Sequence, residues 1–310
     1  MACNSYTPAE TAELVSRAGV AKANMRIDKI FLSGAMAGMM LSFACASVLS
    51  TNAAPWYQAN APGLIFPYGL CMIVLTGSDL CTESFLFTTV AVLHRRLSIQ
   101  MMLRYCALTF LGNLAGSLFI VAIVAGYGGV FDAPAYANEV RAFVTAKQVT
   151  PQWHQVFLKG IGANWLVCLA YFLGLSGREY GSKIVGIWWP TFAFISLGFD
   201  HVVANMFIVP MGIWIGTPDL SVGLYIWKGM IPACLGNILG GGLFVGTYMY
   251  YQYLQGVDAP AIDGTHYDAS PVGLMDFGSR RVELGRKAPV HEEERIGSGG
   301  STPTAKPELS

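Results

Sequence analysis

Charge is what this chain has least of. Lys, Arg, Asp and Glu make up 12% of its 310 residues, about half the roughly 25% found in soluble domains. The 19 basic and 19 acidic residues cancel, so the cationic footprint of a nucleic-acid partner is missing. Cysteines are few: the seven, at positions 3, 45, 71, 81, 106, 168 and 234, show no CxxC or metal-ligand spacing. Most fall inside apolar runs, where they serve as small fillers and not as a disulfide framework. The stretch from Met1 to Asn24 is polar, with no apolar core, and no cleavable signal peptide is expected there. Apolar residues are plentiful instead, at 54% of the chain with a mean hydropathy of +0.47. Together with 35 Gly and long uncharged runs, this predicts an all-α polytopic membrane protein.

Six spans are expected, near 30–50, 64–93, 105–127, 157–176, 184–215 and 229–254. The second and fifth, at about 1.5 Å per residue, are too long for a hydrocarbon core of roughly 30 Å. Both have polar centres: Thr76-Gly77-Ser78-Asp79-Leu80-Cys81-Thr82-Glu83-Ser84 in one, Gly198-Phe199-Asp200-His201 in the other. Two over-long, Gly-interrupted spans in matching positions of two halves point to a transport site.

The halves do correspond. Phe31-Leu32-Ser33-Gly34 echoes Phe157-Leu158-Lys159-Gly160, Pro67 echoes Pro190, and Asp79 echoes Asp200. Leu111-Gly112-Asn113-Leu114-Ala115-Gly116 echoes Leu235-Gly236-Asn237-Ile238-Leu239-Gly240, and all offsets lie between 121 and 126 residues. Each repeat has three spans, an odd number, so the second enters from the opposite face and the repeat is inverted, with spans 2 and 5 broken. The domain plan is a 1–29 N-terminal segment, a 30–254 transport domain (repeats about 30–127 and 157–254), and a disordered tail over 255–310. Thr7-Pro8-Ala9-Glu10 is a capping box with Pro at the first helical position. It starts a surface helix whose Leu14, Val15, Ala18 and Ala21 share a side, to lie on the bilayer or against a neighbouring subunit.

Basic residues near the span ends set the orientation. Arg17, Lys22, Arg26, Lys29, Arg95, Arg96, Arg104, Arg178 and Lys183 fall on one side, against Arg141, Lys147, Lys228 and a snorkelling Lys159 on the other. Both termini are therefore expected in the cytoplasm, in a multi-pass plasma-membrane protein.

Four ionisable residues fall at mid-depth: Asp79, Glu83, Asp200 and His201. A broken helix leaves unpaired N–H groups that a carboxylate accepts well, so Asp79 and Asp200 are expected as structural caps, with Glu83 open to the same reading. The repeat gives Asp200 a counterpart in Asp79 but sets Leu80 opposite His201, so symmetry does not account for the imidazole. A satisfied core histidine is the plain reading; its place at a break favours a functional one. One His with no Cys or His neighbours is too poor in ligands for a metal. No nucleophile–base–orienter set is visible, so neither enzyme activity nor a cofactor is expected.

Several motifs carry a resemblance. They are Phe66-Pro67-Tyr68-Gly69-Leu70, Gly77-Ser78-Asp79-Leu80-Cys81-Thr82, Gly162-Ala163-Asn164-Trp165-Leu166-Val167-Cys168-Leu169-Ala170, Ser176-Gly177-Arg178 and Gly198-Phe199-Asp200-His201-Val202-Val203-Ala204-Asn205-Met206. Over about residues 7–254 the chain resembles the formate–nitrite transporter family, and within it most the fungal nitrite transporters. The resemblance implies an aquaporin-like protomer in a homopentamer, each protomer with its own pore. Phe66 and Phe194 would form the outer constriction, and Leu70, Leu80 and Cys81 the inner one. Thr82 would face His201, Asn164 would lie beside that His, and Lys147 would sit in the outer vestibule. Cys81 stands where many relatives have Phe, which loosens the inner ring.

The expected function is passage of a small weak-acid anion, nitrite before formate or another short monocarboxylate. An anion stripped of water at an apolar ring costs of order 20 kcal/mol in the idealised limit. Protonation near His201, by that residue or through it from water, lets the neutral acid cross. A neutral-solute channel would be obstructed by paired Phe rings and lacks Asn-Pro-Ala pairs. A membrane-embedded enzyme lacks a nucleophile or metal set, and a scaffold leaves the buried polar break unexplained.

Overall fold

The computed structural model describes residues 5–53 and 61–267. Most of those residues are helical, with no strand among them beyond two isolated bridges, Ser5–Gly177 and Ile262–Thr265. In chain order the helices are α1 (Pro8–Ala23), α2 (Ile27–Ala53), α3 (Ala61–Ile65), α4 (Pro67–Thr76), α5 (Cys81–Leu93) and α6 (Ile99–Tyr127). Then come α7 (Pro134–Val144), α8 (Trp153–Ser176), α9 (Tyr180–Ser196), α10 (Val202–Trp214) and α11 (Val222–Tyr253). The last turns of α6 and two stretches of α11 widen to π geometry.

Four helices are long and apolar enough to cross a membrane: α2, α6, α8 and α11. They fall on the expected first, third, fourth and sixth spans but run longer, because polar flanks such as Asp28 and Lys29 continue the helix. The second expected span is a pair of helices, Gly63–Thr76 and Cys81–Leu93, bent by 47°. The fifth is α9 followed, after Leu197–His201, by the short apolar helix α10. The connection after α6 contains α7, which starts on Pro134. Large apolar side chains point outward along these helices, among them Leu32, Leu103, Leu158 and Leu243, as on a surface facing lipid or another subunit.

Two helix pairs make the framework, α2 with α6 and α8 with α11. Backbones touch in both. A Cβ on Gly116 would lie 2.0 Å from the Ala35 carbonyl oxygen, and one on Gly240 would lie 2.2 Å from that of Ile161. Only glycine permits such approach.

The capping box at Thr7 forms as expected: Thr7 Oγ1 accepts from Glu10 N at 3.3 Å, and Thr7 N donates to Glu10 Oε2 at 2.8 Å. The face of α1 that is buried differs from the expected one. It carries Thr11, Ala12, Glu13, Val15, Ser16, Gly19, Val20 and Ala23, packed on α5 and α8 of the same chain. Leu14, Ala18 and Ala21 lie at its margin. The rotation comes from Glu13, which Arg17 and Arg96 hold inward, and from Gly19, whose Cβ would stand 2.3 Å from the Phe87 carbonyl. Gly256–Tyr267, expected within a disordered tail, lies back against Arg17 of α1, Tyr6 just before it and Arg178 just after α8. Residues 268–310 of that expected tail lie outside the described residues. The six described cysteines are free thiols.

Candidate functional site

The two breaks are built the same way. α4 ends at Gly77, φ 76°, and Ser78 N donates to the Ile73 carbonyl at 3.0 Å. α9 ends at Gly198, φ 63°, and Phe199 N donates to the Phe194 carbonyl at 3.3 Å. These are glycine-terminated helix ends in which the left-handed residue turns the chain out of the helix. No atom lies within 4 Å of a Cβ built on either glycine, so backbone conformation and not space demands glycine here.

An asparagine then holds each turn. Asn113 Nδ2 donates to the Asp79 carbonyl at 2.9 Å and to that of Gly34 at 2.8 Å, and its Oδ1 accepts from Cys81 N at 2.8 Å. Asn237 Nδ2 donates to the Asp200 carbonyl at 3.0 Å and to that of Gly160 at 2.8 Å, and its Oδ1 accepts from Val202 N at 2.9 Å. Both are fully buried. One side chain thereby satisfies backbone groups that a membrane interior leaves without water. Both lie in the repeated Leu-Gly-Asn motif, so the signal was in the sequence while the role was not.

The aspartates are not the caps they were expected to be. The Asp79 carboxylate pairs with Lys22 of α1 and accepts from Ser33 Oγ at 2.8 Å. Asp200 Oδ1 lies 3.0 Å from Lys147 Nζ and accepts from Asn205 Nδ2 at 3.3 Å. Each lysine also donates to its break's backbone, Lys22 to the Gly77 carbonyl at 3.3 Å and Lys147 to that of Phe199 at 2.9 Å. The helix starts are served by other residues. Glu83 Oε1 accepts from Leu80 N at 3.0 Å, and His201 Nδ1 accepts from Ala204 N at 3.1 Å. Two buried carboxylates find cations within reach, which a lone cap could not match.

His201 is thus the N-cap of α10 as well as a site residue. A backbone N–H can only donate, so Nδ1 is an acceptor and the ring proton sits on Nε2. Nε2 lies 2.8 Å from Thr82 Oγ1 and donates to it, leaving the hydroxyl proton of Thr82 free for a further acceptor. Thr82 and His201 come from different breaks, 119 residues apart in sequence. Asn164 does not bond the imidazole. Its Nδ2 donates to the carbonyls of Thr82 and Asn237, at 3.0 and 2.7 Å, so it ties the first break to the asparagine that holds the second.

Above this pair is a cavity of about 300 Å³, lined by Cys45, Phe143, Lys147, Ser196, Phe199 and Ala204 among others. A second void, about 10 Å³, includes Leu70, Leu80 and His201 in its wall. Phe66 and Phe194 line both, their ring centroids 5.7 Å apart edge to face, so the two rings are the partition. Phe194 also meets the His201 ring edge at 5.8 Å. The small void has room for about one water-sized molecule. Cys81, expected beside Leu70 and Leu80, is not among the side chains lining it; it is fully buried, with its N–H held by Asn113. Lys147 does reach the wide cavity, but with its charge paired to Asp200. No cluster of three or more His, Cys, Asp or Glu placed to hold a metal occurs among the described residues.

Comparison with known proteins agrees with this architecture. A sequence model of the family described as formate/nitrite transporter matches residues 9–251. The "Probable formate transporter" of Methanothermobacter thermautotrophicus is 33% identical over 275 residues, covering 82% of this chain and all of the relative. Among solved structures, an "FNT family ion channel" aligns with a TM-score of 0.72 at 28% identity, over 78% of this chain and 98% of that one. A "Pentameric formate channel with formate bound" aligns with a TM-score of 0.65 at 28% identity, over 74% and 98%.

Proposed function

Because the chain belongs to the formate/nitrite transporter family, we propose that it passes small monovalent weak acids, nitrite and formate, across the plasma membrane in their neutral form. The observation that carries this reading is the sequence of spaces beside one imidazole: a cavity of about 300 Å³ at Lys147, a Phe66–Phe194 partition, and a one-molecule void walled by His201, Leu70 and Leu80. That void has room for about one water-sized molecule, so it excludes a hydrated ion, and a three-heavy-atom acid crosses it only without its water and with the apolar walls giving way. A bare anion there meets a barrier of order 20 kcal/mol in the idealised limit, and one proton removes most of it.

In this mechanism the anion enters the vestibule, combines with a proton from that side's water, and crosses Phe66 and Phe194 as the acid. Thr82 and His201 receive it with a directed hydrogen bond. His201 Nε2–H occupies one lone pair of Thr82 Oγ1, which turns the hydroxyl proton toward the substrate. The Nδ1 lone pair is engaged by Ala204, so the pair orients the substrate and the net proton comes from water. Beyond Leu70 and Leu80 the acid ionises again, and one proton moves with each anion.

The matching glycine ends, asparagine clamps and aspartate–lysine pairs support six spans arranged as two inverted three-span repeats, with spans 2 and 5 broken. The pentameric relative supports a homopentamer with a pore in each protomer, and the basic residues near the helix ends favour cytoplasmic termini.

The test is uptake of labelled nitrite, formate and lactate into proteoliposomes across a pH gradient. Uptake of the two smaller anions is expected to rise as the outside is acidified, with lactate slower, and His201→Ala should lower that uptake at every pH. Proton-dependent uptake that survives unchanged in His201→Ala overturns the reading.

A further inference from the structure

The segment after α11 makes contacts that the pore does not need. Ile262-Asp263-Gly264-Thr265 is a tight two-residue turn: Ile262 N donates to the Thr265 carbonyl at 3.0 Å and Thr265 N to that of Ile262 at 2.9 Å. Asp263 and Gly264 have φ of 49° and 76°, the left-handed pair that an Asp-Gly hairpin turn requires. The turn aims the Asp263 carboxylate at two groups. Arg178 Nη1 lies 2.8 Å from Oδ1, and Tyr6 Oη donates to Oδ2 at 3.1 Å. Arg178, which also stacks over the Tyr6 ring at 4.0 Å, holds the Asp263 carboxyl below the usual carboxylate range. Tyr6 N in turn donates to the Ser176 carbonyl at 2.8 Å. The residues leading into α1 are therefore clamped between the end of α8 and this turn.

A second set of contacts lies further along α1. Arg17 Nη2 donates to the carbonyls of Pro260 and Thr265, at 3.5 and 3.3 Å. The Tyr267 ring sits under two guanidinium groups, Arg17 at 5.3 Å and Arg96 at 5.0 Å. Both arginines bond the fully buried Glu13, Arg17 Nε at 2.8 Å and Arg96 Nη1 at 2.8 Å to each oxygen. The ring covers this buried ion cluster. A buried ion pair is worth most while water is kept from it, so the ring and the cluster support each other. On its opposite side α1 delivers Lys22 to Asp79 and to the Gly77 carbonyl, next to Leu80 in the wall of the void.

We infer that Pro260–Tyr267 is a latch on α1, and that Asp263 and Tyr267 are positioning residues for the first break, acting through α1 and Lys22 and touching neither the substrate nor the void. The tail segment thereby sets how firmly Lys22 holds the Gly77–Leu80 turn.

Amide hydrogen exchange of the full-length protein, read by peptide, tests this directly. In Asp263→Ala and, separately, Tyr267→Ala, exchange is expected to rise about tenfold over Pro260–Tyr267, α1 and Gly77–Leu80, while α8 keeps its protection. Tyr267→Phe keeps the stacked ring and should stay near the parent. The charge swap Asp263→Arg with Arg178→Asp should return α1 toward parental exchange. Protection of α1 that stays parental while the latch segment loosens overturns the inference, as does a latch segment that none of the variants loosens, or a swap that restores nothing. The consequence for passage rests on the proposed function: released variants should shift the half-saturating substrate concentration or the maximal rate of uptake. A parent protein that carries no weak acid would sink that function, while the exchange result would still decide the latch.

Discussion

Asn113 and Asn237 hold the two helix breaks with the same three hydrogen bonds, each at 2.8–3.0 Å. Each pins an aspartate carbonyl, a glycine carbonyl on the neighbouring long helix and the first N–H of the helix that follows. Asn237→Ala leaves three buried backbone groups unpaired, at about 1–3 kcal/mol each before relaxation. Melting of the detergent-solubilised protein is expected to fall by the equivalent of about 3 kcal/mol or more, and Asn113→Ala should fall by a similar amount. A parental melting temperature for both would mean that the breaks are held by something else.

The two jobs of His201 can be separated. Asn is a good helix N-cap, so His201→Asn should accept from Ala204 N and keep the stability of α10, whereas His201→Ala should lose about 1 kcal/mol. Neither supplies an Nε2–H to Thr82. Both variants should therefore show lower uptake at every pH, and only the alanine variant should melt earlier. Thr82→Ser should retain uptake and Thr82→Val should not.

Phe194 touches both Phe66 and His201, so Phe194→Ala opens the partition between vestibule and void. Each ~1.4 kcal/mol taken from a crossing barrier is about tenfold in rate. Lactate uptake should rise by on the order of tenfold or more, with a smaller gain for formate. A variant as selective as the parent would place the filter elsewhere.

Lys147 is paired with Asp200, so its charge is balanced at the vestibule. Removing it alone, as in Lys147→Met, leaves a buried carboxylate without its cation, a change that costs about 3–5 kcal/mol in comparable sites. Lys147→Met with Asp200→Asn should recover most of the lost stability. If the double variant also regains uptake at low substrate concentration, the lysine serves the break; if uptake stays low while stability returns, it serves the anion.

His94 lies just past the end of α5, with Nδ1 3.0 Å from Ser16 Oγ of α1 and 3.8 Å from Glu13, beside Arg96 and the Tyr250 ring. Burial, and then Arg96, hold its pKa below the ordinary 6.5, with Glu13 opposing. A histidine that binds its proton more weakly when docked loses docking stability as pH falls below the undocked value. The protection of α1 amides, taken relative to their intrinsic exchange at each pH, should therefore fall from about pH 6.5 downward, and His94→Gln should flatten that dependence. A flat profile in the parent would remove His94 from the docking equilibrium.

The chain's segments, its two breaks, the capping box of α1 and the correspondence between halves were legible because each is local or periodic. A run of apolar residues, a glycine at φ 76° or 63° and a Thr-Pro-Ala-Glu start need only their neighbours. The Asp-Gly turn at 263–264 is equally local, but inside a polar tail nothing local says that it has a surface to dock on. Which groups pair was decided by tertiary structure alone. Lys22 reaches Asp79 across 57 residues, and His201 reaches Thr82 across 119. Sequence pattern assigns a carboxylate to the nearest open helix end. The fold instead brings a lysine to each aspartate and gives the helix ends to Glu83, to an asparagine from the neighbouring helix and to His201 itself. In a site without water every polar group must find a partner, and the available partners are set by packing.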